Sequence, residues 1–142
     1  MYDPILVQPM REEVTRFGVK EARTAEEIDN FVKQEGTTLV FINSVCGCAA
    51  GSARPALAFA TQHTTKPDRM ITAFAGNDVE AVARARGYFT GIAPSSPSFG
   101  LLRDGELVWM LERWQIEGHG PAEIAGMLTK AFDEHCGVKQ PA

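Results

Sequence analysis

The chain has 142 residues, 44% of them hydrophobic and 23% charged, with a net charge of -4, two Trp and eight Phe. That length and mix predict one globular domain with its own apolar core, and exclude a disordered, collagen-like or disulfide-stapled chain. No Lys/Arg run interleaves with aromatic residues, so no nucleic-acid partner is expected.

The amino-terminal stretch has an apolar run of only three residues, Ile5-Leu6-Val7, and lacks a cationic leader or a small-residue cleavage site, which predicts no secretory signal. Nothing approaches the ~20 apolar residues that cross a bilayer. A cytoplasmic protein with no membrane partner is expected.

Residues 10–17 predict a short helix ending near Gly18. Thr24 is the expected N-cap of a second helix reaching about Glu35, with Glu27 completing a capping box and Ile28, Phe31 and Val32 on one face. Gly36 stops it. Residues 37–42 then form a continuous β-branched and aromatic run, the pattern of a central strand buried on both faces. Directly after come Cys46, Gly47 and Cys48. From Ala49 to about His63 the chain favours a helix, with Leu57, Phe59 and Ala60 available for burial and Pro55 expected to bend its first turns.

A strand over 70–74 and a helix from Asp78 to about Arg86 follow. Two apolar runs, 95–102 and 107–111, flank an Asp104-Gly105 turn signal and predict a β-hairpin. Pro121 marks the start of a last helix, on which Ile124, Met127, Leu128, Ala131 and Phe132 repeat at helical spacing until Cys136-Gly137. No linker, repeat or second domain interrupts the chain. This order predicts an α/β fold of thioredoxin-like plan: a mixed central β-sheet flanked by helices on both faces, in one domain over residues 1–142.

Three cysteines are too few for a secreted disulfide framework, and in a reducing compartment two close thiols point to redox or metal chemistry. Cys46 and Cys48 lie where a buried strand gives way to a helix, whose unpaired N–H groups favour a thiolate. A first cysteine at the open end of such a turn can attack a disulfide while the second resolves the mixed disulfide. With only Gly47 between them, a Cys46–Cys48 disulfide closes a very small ring. Gly47 is expected to accept the backbone angles that closure demands. A strained disulfide is easily reduced, so the couple is expected to be more oxidising than a relaxed Cys-x-x-Cys pair. It would suit isomerisation, or removal of a small thiol from a protein cysteine.

Pro97 opens the hairpin where thioredoxin-like proteins place a cis-proline beside the active turn, leaving the backbone of the preceding residue, here Ser96, free to pair with an extended substrate. A trans turn proline is the alternative. Ser44 is a candidate hydrogen-bond donor to the sulfurs, or simply a helix cap. Arg54 is a candidate for stabilising a thiolate or meeting a substrate carboxylate, or else a surface stem. Cys136 is a possible additional resolving thiol or the site of an intermolecular bond, with a half-buried structural role as the commoner fate. His63, His119 and His135 show no zinc-ligand spacing and read as solvated or helix-end residues. Glu117 and Asp104 read as loop or turn residues, and Trp109 and Trp114 as packing residues.

The block Asn43-Ser44-Val45-Cys46-Gly47-Cys48-Ala49-Ala50-Gly51-Ser52-Ala53-Arg54-Pro55-Ala56 resembles the active-site block of the bacilliredoxins. The resemblance extends through Ser95-Ser96-Pro97-Ser98, Arg113-x-x-Ile116-Glu117-Gly118 and the closing 131–136. It implies a thioredoxin-like fold that removes bacillithiol, or a similar low-molecular-weight thiol, from mixed disulfides on cytosolic proteins, with Cys46 attacking and Cys48 resolving. Disulfide isomerase activity is associated with the same family. The implied partners are mixed-disulfide proteins and a small thiol or reductase for recycling; no cofactor and no metal are expected. Two rivals stand beside this reading. One is a metal or iron–sulfur carrier using the Cys-Gly-Cys thiolates. The other is a thioredoxin-shaped interaction module without turnover.

Overall fold

The first helix begins earlier than the apolar pattern suggests. In the structure, a computed structural model that describes residues 1–137, α1 spans Pro4–Thr15. The Asp3 carboxylate accepts the Ile5 N–H at 2.9 Å, and Pro4 fills a first-turn position whose N–H would be orphaned in any residue. Pro9, just before the 10–17 stretch expected to be helical, sits inside the helix on its exposed side, where water can take the carbonyl it leaves unpaired. Gly18, at φ +89°, turns the chain away.

The two-residue strand β1 (Lys20–Glu21) is too short to carry any alternation, and the sequence pattern passes over it. Thr24 caps α2 (Ala25–Val32) by accepting the Glu27 N–H at 3.1 Å. The helix stops at Val32, short of Glu35. Gly36, at φ +104°, exchanges hydrogen bonds with Asp104: its N–H donates to the Asp104 carboxylate at 2.7 Å and its carbonyl accepts the Asp104 N–H at 2.8 Å.

The central run is β2 (Thr37–Asn43), buried at every position. Beyond the cysteines the chain does not enter an ordinary α-helix. Ala49–Ala53 form a π turn, closed by the Arg54 N–H on the Ala49 carbonyl, and only then does α3 (Arg54–Ala60) follow, with Pro55 in its first turn. Phe59, expected inside, is 61% exposed, whereas Leu57 and Ala60 are buried. The rest of the chain supplies β3 (Arg69–Phe74), α4 (Val79–Tyr88), β4 (Ser98–Arg103), β5 (Glu106–Leu111), the single turn α5 (Arg113–Ile116) and α6 (Pro121–His135). Asp104 and Gly105 both take positive φ, 50° and 82°, as a two-residue hairpin turn requires.

The strands form one mixed sheet in the order β1-β3-β2-β4-β5. β2 pairs parallel with β3 and antiparallel with β4. Alternate residues of β2 feed two cores. Leu39 and Phe41 pack with α1, α3, α5 and α6, and the Phe41 ring stacks on Phe99 with centroids 4.6 Å apart. Val40 and Ile42 pack with α2 and α4 on the other face. This is the thioredoxin-like α/β plan. Among the described residues, no helix is long and apolar enough to cross a membrane.

A buried ion pair fixes α1 to the far corner of the sheet: Arg11 holds Asp78 through two 2.8 Å bonds, and the same carboxylate accepts the Phe74 N–H at 2.9 Å. Asp78 therefore anchors the start of α4 without capping it through its side chain.

Gly100 in β4 lies under the Phe89 ring, where an added Cβ would come within 2.3 Å of a ring carbon. Gly100→Ala should destabilise the fold by about 1–3 kcal/mol through overpacking, read as a lower urea midpoint with unchanged slope.

Candidate functional site

Asn43 ends β2 and begins the site. Its side chain donates to the Met10 carbonyl of α1 at 3.1 Å, and its Oδ1 accepts the Ser44 N–H at 2.9 Å and Arg54 Nη1 at 3.1 Å. Arg54 is 3% exposed, so it is no surface stem. Its Nη1 also reaches the Ser44 carbonyl at 2.8 Å and its Nε the Glu13 carboxylate at 2.6 Å. Those partners occupy the guanidinium beneath the turn. Arg54 therefore holds the backbone that carries Cys46, in place of the thiolate or substrate contact considered from sequence.

Cys46 takes the place of a helix cap. Its carbonyl accepts the N–H groups of Ala49 and Ala50 at 3.0 and 3.2 Å, while its own N–H donates to Ser44 Oγ at 3.2 Å. Both thiols are free and half-buried. Burial pushes the Cys46 thiol up, but the Ala49 N–H, the Ser44 hydroxyl, the Cys48 N–H and the charge of Arg113 together outweigh it, so its pKa falls below the ordinary thiol value. Cys48 moves the other way: burial raises it first, then the charge and hydrogen bond of Cys46, with Glu117 adding and Arg113 opposing. Two thiols one residue apart are thus driven in opposite directions. Gly47 needs no glycine conformation in this dithiol state, since its φ is not positive and a Cβ there would meet nothing within 4 Å. Any demand for glycine falls on the disulfide form.

Across from the cysteines, the Ser96–Pro97 peptide bond is cis and Pro97 is buried. Ser98 pairs with Ile42 across the sheet, so Ser95 and Ser96 run level with the start of the cysteine turn. Arg113, at the start of α5, donates to the Ser96 carbonyl at 3.4 Å and to Glu117 at 2.8 Å. Ser52, one turn after Cys48, donates to the His119 carbonyl at 2.9 Å and ties the loop after α5 to the π turn. Sequence reasoning assigned no role to Arg113 and read Glu117 as a loop residue. Their Glu/Arg spacing of four is visible in the sequence, but their approach to the sulfurs is not.

Other expected residues lie elsewhere. Cys136 sits by Thr37 at the opposite end of β2, and the strand's rise of ~3.3 Å per residue puts it roughly 20 Å from Cys46, out of reach as a resolving thiol in the same chain. Burial raises its thiol pKa. His63 contacts Asp133 at 2.8 Å and His119 contacts Glu123 at 2.9 Å. Among the described residues, no three His, Cys, Asp or Glu side chains gather as a metal site. Trp114, expected to pack, is 69% exposed and donates its indole N–H to Glu112.

Two measurements test this geometry. The rate of iodoacetamide alkylation at Cys46 should reach half-maximum at lower pH than for free cysteine, and at Cys48 at higher pH; Ser44→Ala, by removing a donor to the thiolate, should shift the Cys46 midpoint upward. Arg54→Met should cost about 1–3 kcal/mol in denaturant unfolding, because the Ser44 carbonyl and Asn43 oxygen lose a buried donor.

Comparison with known proteins gives the site its context. Residues 2–136 match a family described as disulphide isomerase. A bacilliredoxin of Koribacter versatilis is 56% identical over 139 residues, covering 97% of this chain and 96% of that one. A bacilliredoxin of Halalkalibacterium halodurans is 54% identical over 131 residues, covering 92% and 90%. Among solved structures, the oxidised thioredoxin of Plasmodium falciparum superposes with a TM-score of 0.55 at 18% identity, over 80% of this chain and 97% of that one. The thioredoxin of Trypanosoma brucei brucei gives 0.55 at 21% identity, over 82% and 88%. These structures establish the thioredoxin fold. Matched over nearly its full length at this level of identity, the chain is a thiol–disulfide oxidoreductase and belongs to the bacilliredoxin family.

Proposed function

We propose that the chain is a cytoplasmic enzyme that removes bacillithiol, or a similar low-molecular-weight thiol, from mixed disulfides on proteins. The observation that carries this reading is the opposed tuning of two thiols one residue apart: Cys46 is eased toward thiolate by N–H groups, Ser44 and Arg113, while burial and the charge of Cys46 keep Cys48 protonated. A thiolate attacks and a thiol waits. The names of the relatives support the choice of substrate.

In the first step, the Cys46 thiolate attacks the small-thiol sulfur of the mixed disulfide. A new disulfide forms between Cys46 and the small thiol, and the protein cysteine leaves as a thiolate that takes a proton. In the second step, Cys48 loses its proton and attacks Cys46 Sγ; the small thiol leaves, and a Cys46–Cys48 disulfide remains. Two electrons pass from the dithiol to the mixed disulfide. A small thiol or a reductase returns them. The small ring closed through Gly47 supports a couple that is easily reduced, which would also suit isomerisation, and the family description agrees with that second use.

The test is mass spectrometry of the wild type and of Cys48→Ala after incubation with a bacillithiol-modified protein and, separately, with iron or zinc. Cys48→Ala should trap the small thiol on Cys46, while the wild type frees its target and gains a Cys46–Cys48 disulfide. An unmodified Cys46 in a protein that holds stoichiometric metal would establish the carrier reading instead.

A further inference from the structure

Arg113 is fastened to the segment that lies beside the cysteine turn. Its backbone N–H donates to Ser95 Oγ at 3.3 Å, its Nη1 to the Ser96 carbonyl at 3.4 Å and its Nε to Glu117 at 2.8 Å. Ser98 pairs with Ile42, and continuing that antiparallel register residue by residue sets Ser96 level with Ser44, just before Cys46. The guanidinium thus covers a backbone carbonyl at the level of the turn, and its charge acts on both sulfurs. Among the described residues, the Ser96 N–H has no acceptor and the Ser96 carbonyl has no donor except Arg113. Backbone groups left unpaired by the sheet are what an extended chain pairs with. A target chain whose own cysteine is bonded to Cys46 would lie along this segment and seek both groups. Only the N–H is open to it, because at the carbonyl it must displace a charged donor with a neutral one, and charged donors hold more strongly.

We propose that Arg113, by capping the Ser96 carbonyl, decides which sulfur of a mixed disulfide Cys46 attacks: it denies the target's backbone a place beside Cys46 and so steers the attack to the small-thiol sulfur. The proposal rests on the reading that Cys46 attacks mixed disulfides between a small thiol and a protein. Either sulfur of such a disulfide can receive the electron pair of the thiolate. In one outcome a disulfide forms between Cys46 and the small thiol, the substrate S–S bond breaks and the protein cysteine leaves as a thiolate. The target then stays one sulfur further from Cys46 and needs nothing from Ser96. In the other outcome the disulfide forms between Cys46 and the protein cysteine, and the small thiol leaves as a thiolate. The target chain is then drawn against the Ser95–Ser96 segment and meets the cap. Isomerisation begins with this second outcome, so the cap favours freeing the target over rearranging it, and a target need not offer an extended segment at its cysteine.

The test reads both adducts in one sample. Cys48→Ala, which can resolve neither, is mixed with a short uncharged peptide whose cysteine carries 2-mercaptoethanol. The reaction is quenched with acid at low conversion, and mass spectrometry quantifies the small thiol and the peptide on Cys46. Both attacks use the same thiolate, so Cys46 ionisation and incomplete folding cancel in the ratio, and 2-mercaptoethanol carries no charge for Arg113 to attract. Adding Arg113→Ala should raise the peptide-to-small-thiol ratio about two- to tenfold, the worth of one net backbone hydrogen bond. Arg113→Lys, which keeps a charged donor, should raise it less. The same peptide N-methylated at the amides flanking its cysteine has no N–H to offer Ser96 and should show no rise. A ratio unmoved by Arg113→Ala, or moved equally for the N-methylated peptide, overturns the cap and leaves the removal of small thiols standing. The absence of either adduct on Cys46 overturns the reading of Cys46 as the attacking thiol, and the cap with it.

Discussion

The buried guanidinium of Arg54 is the constraint on which the cysteine turn depends. It joins two parts of the chain, α1 through Glu13 and the end of β2 through the Asn43 side chain and the carbonyl of Ser44. A lysine could not meet these acceptors with the same geometry, because its single ammonium lacks the planar fork. Arg54 reaches back under the turn only because of the π turn before it. One extra residue per turn rotates every later side chain by about 100° relative to a straight α-helix. Without that slip, Arg54 would point away from Ser44. The helix that lends its N–H groups to Cys46 thus also fixes, through its own side chain, where Cys46 stands.

The second layer is electrostatic and comes from the opposite side. α5 is a single turn capped by Glu112 and Gln115, and its short length brings Arg113 and Glu117 to the sulfurs as a pair of opposite sign. Arg113 favours both thiolates, whereas Glu117 acts on Cys48 alone. The bond from Ser52 to His119 closes this loop against the π turn, so that the charges and the dithiol keep their relative places.

Much of this was legible in the sequence where the signal is local. The run 37–42 is apolar on both faces, the Asp104-Gly105 turn demands positive φ, and the cysteines follow the strand directly; these suffice for the sheet and the dithiol. Features that depend on contacts remote in sequence escaped. Arg54 looked like a surface stem because Arg-Pro on a helix carries no mark of burial; its partner Glu13 is forty-one residues away. Arg113 reaches Ser96 only through a hairpin and a loop that no periodicity aligns. The start of α1 escaped for the opposite reason: at Pro9 a local breaker is overridden by Asp3, by Pro4 and by the packing of Val7, Arg11 and Val14.

The opposed tuning of the thiols also sets the timing of the proposed reaction. Cys48 is held up first by burial, then by the charge and hydrogen bond of Cys46. Both contributions of Cys46 require a thiolate there. Once Cys46 is joined to the small thiol its sulfur is neutral, that obstacle to ionising Cys48 disappears, and Arg113 remains to favour the new thiolate. The resolving thiol therefore gains reactivity when there is a disulfide to resolve and not before. A distant third thiol could not be gated in this way, and Cys136, at the other end of β2, is not. Placing both sulfurs within one turn makes the first step of the reaction the trigger for the second.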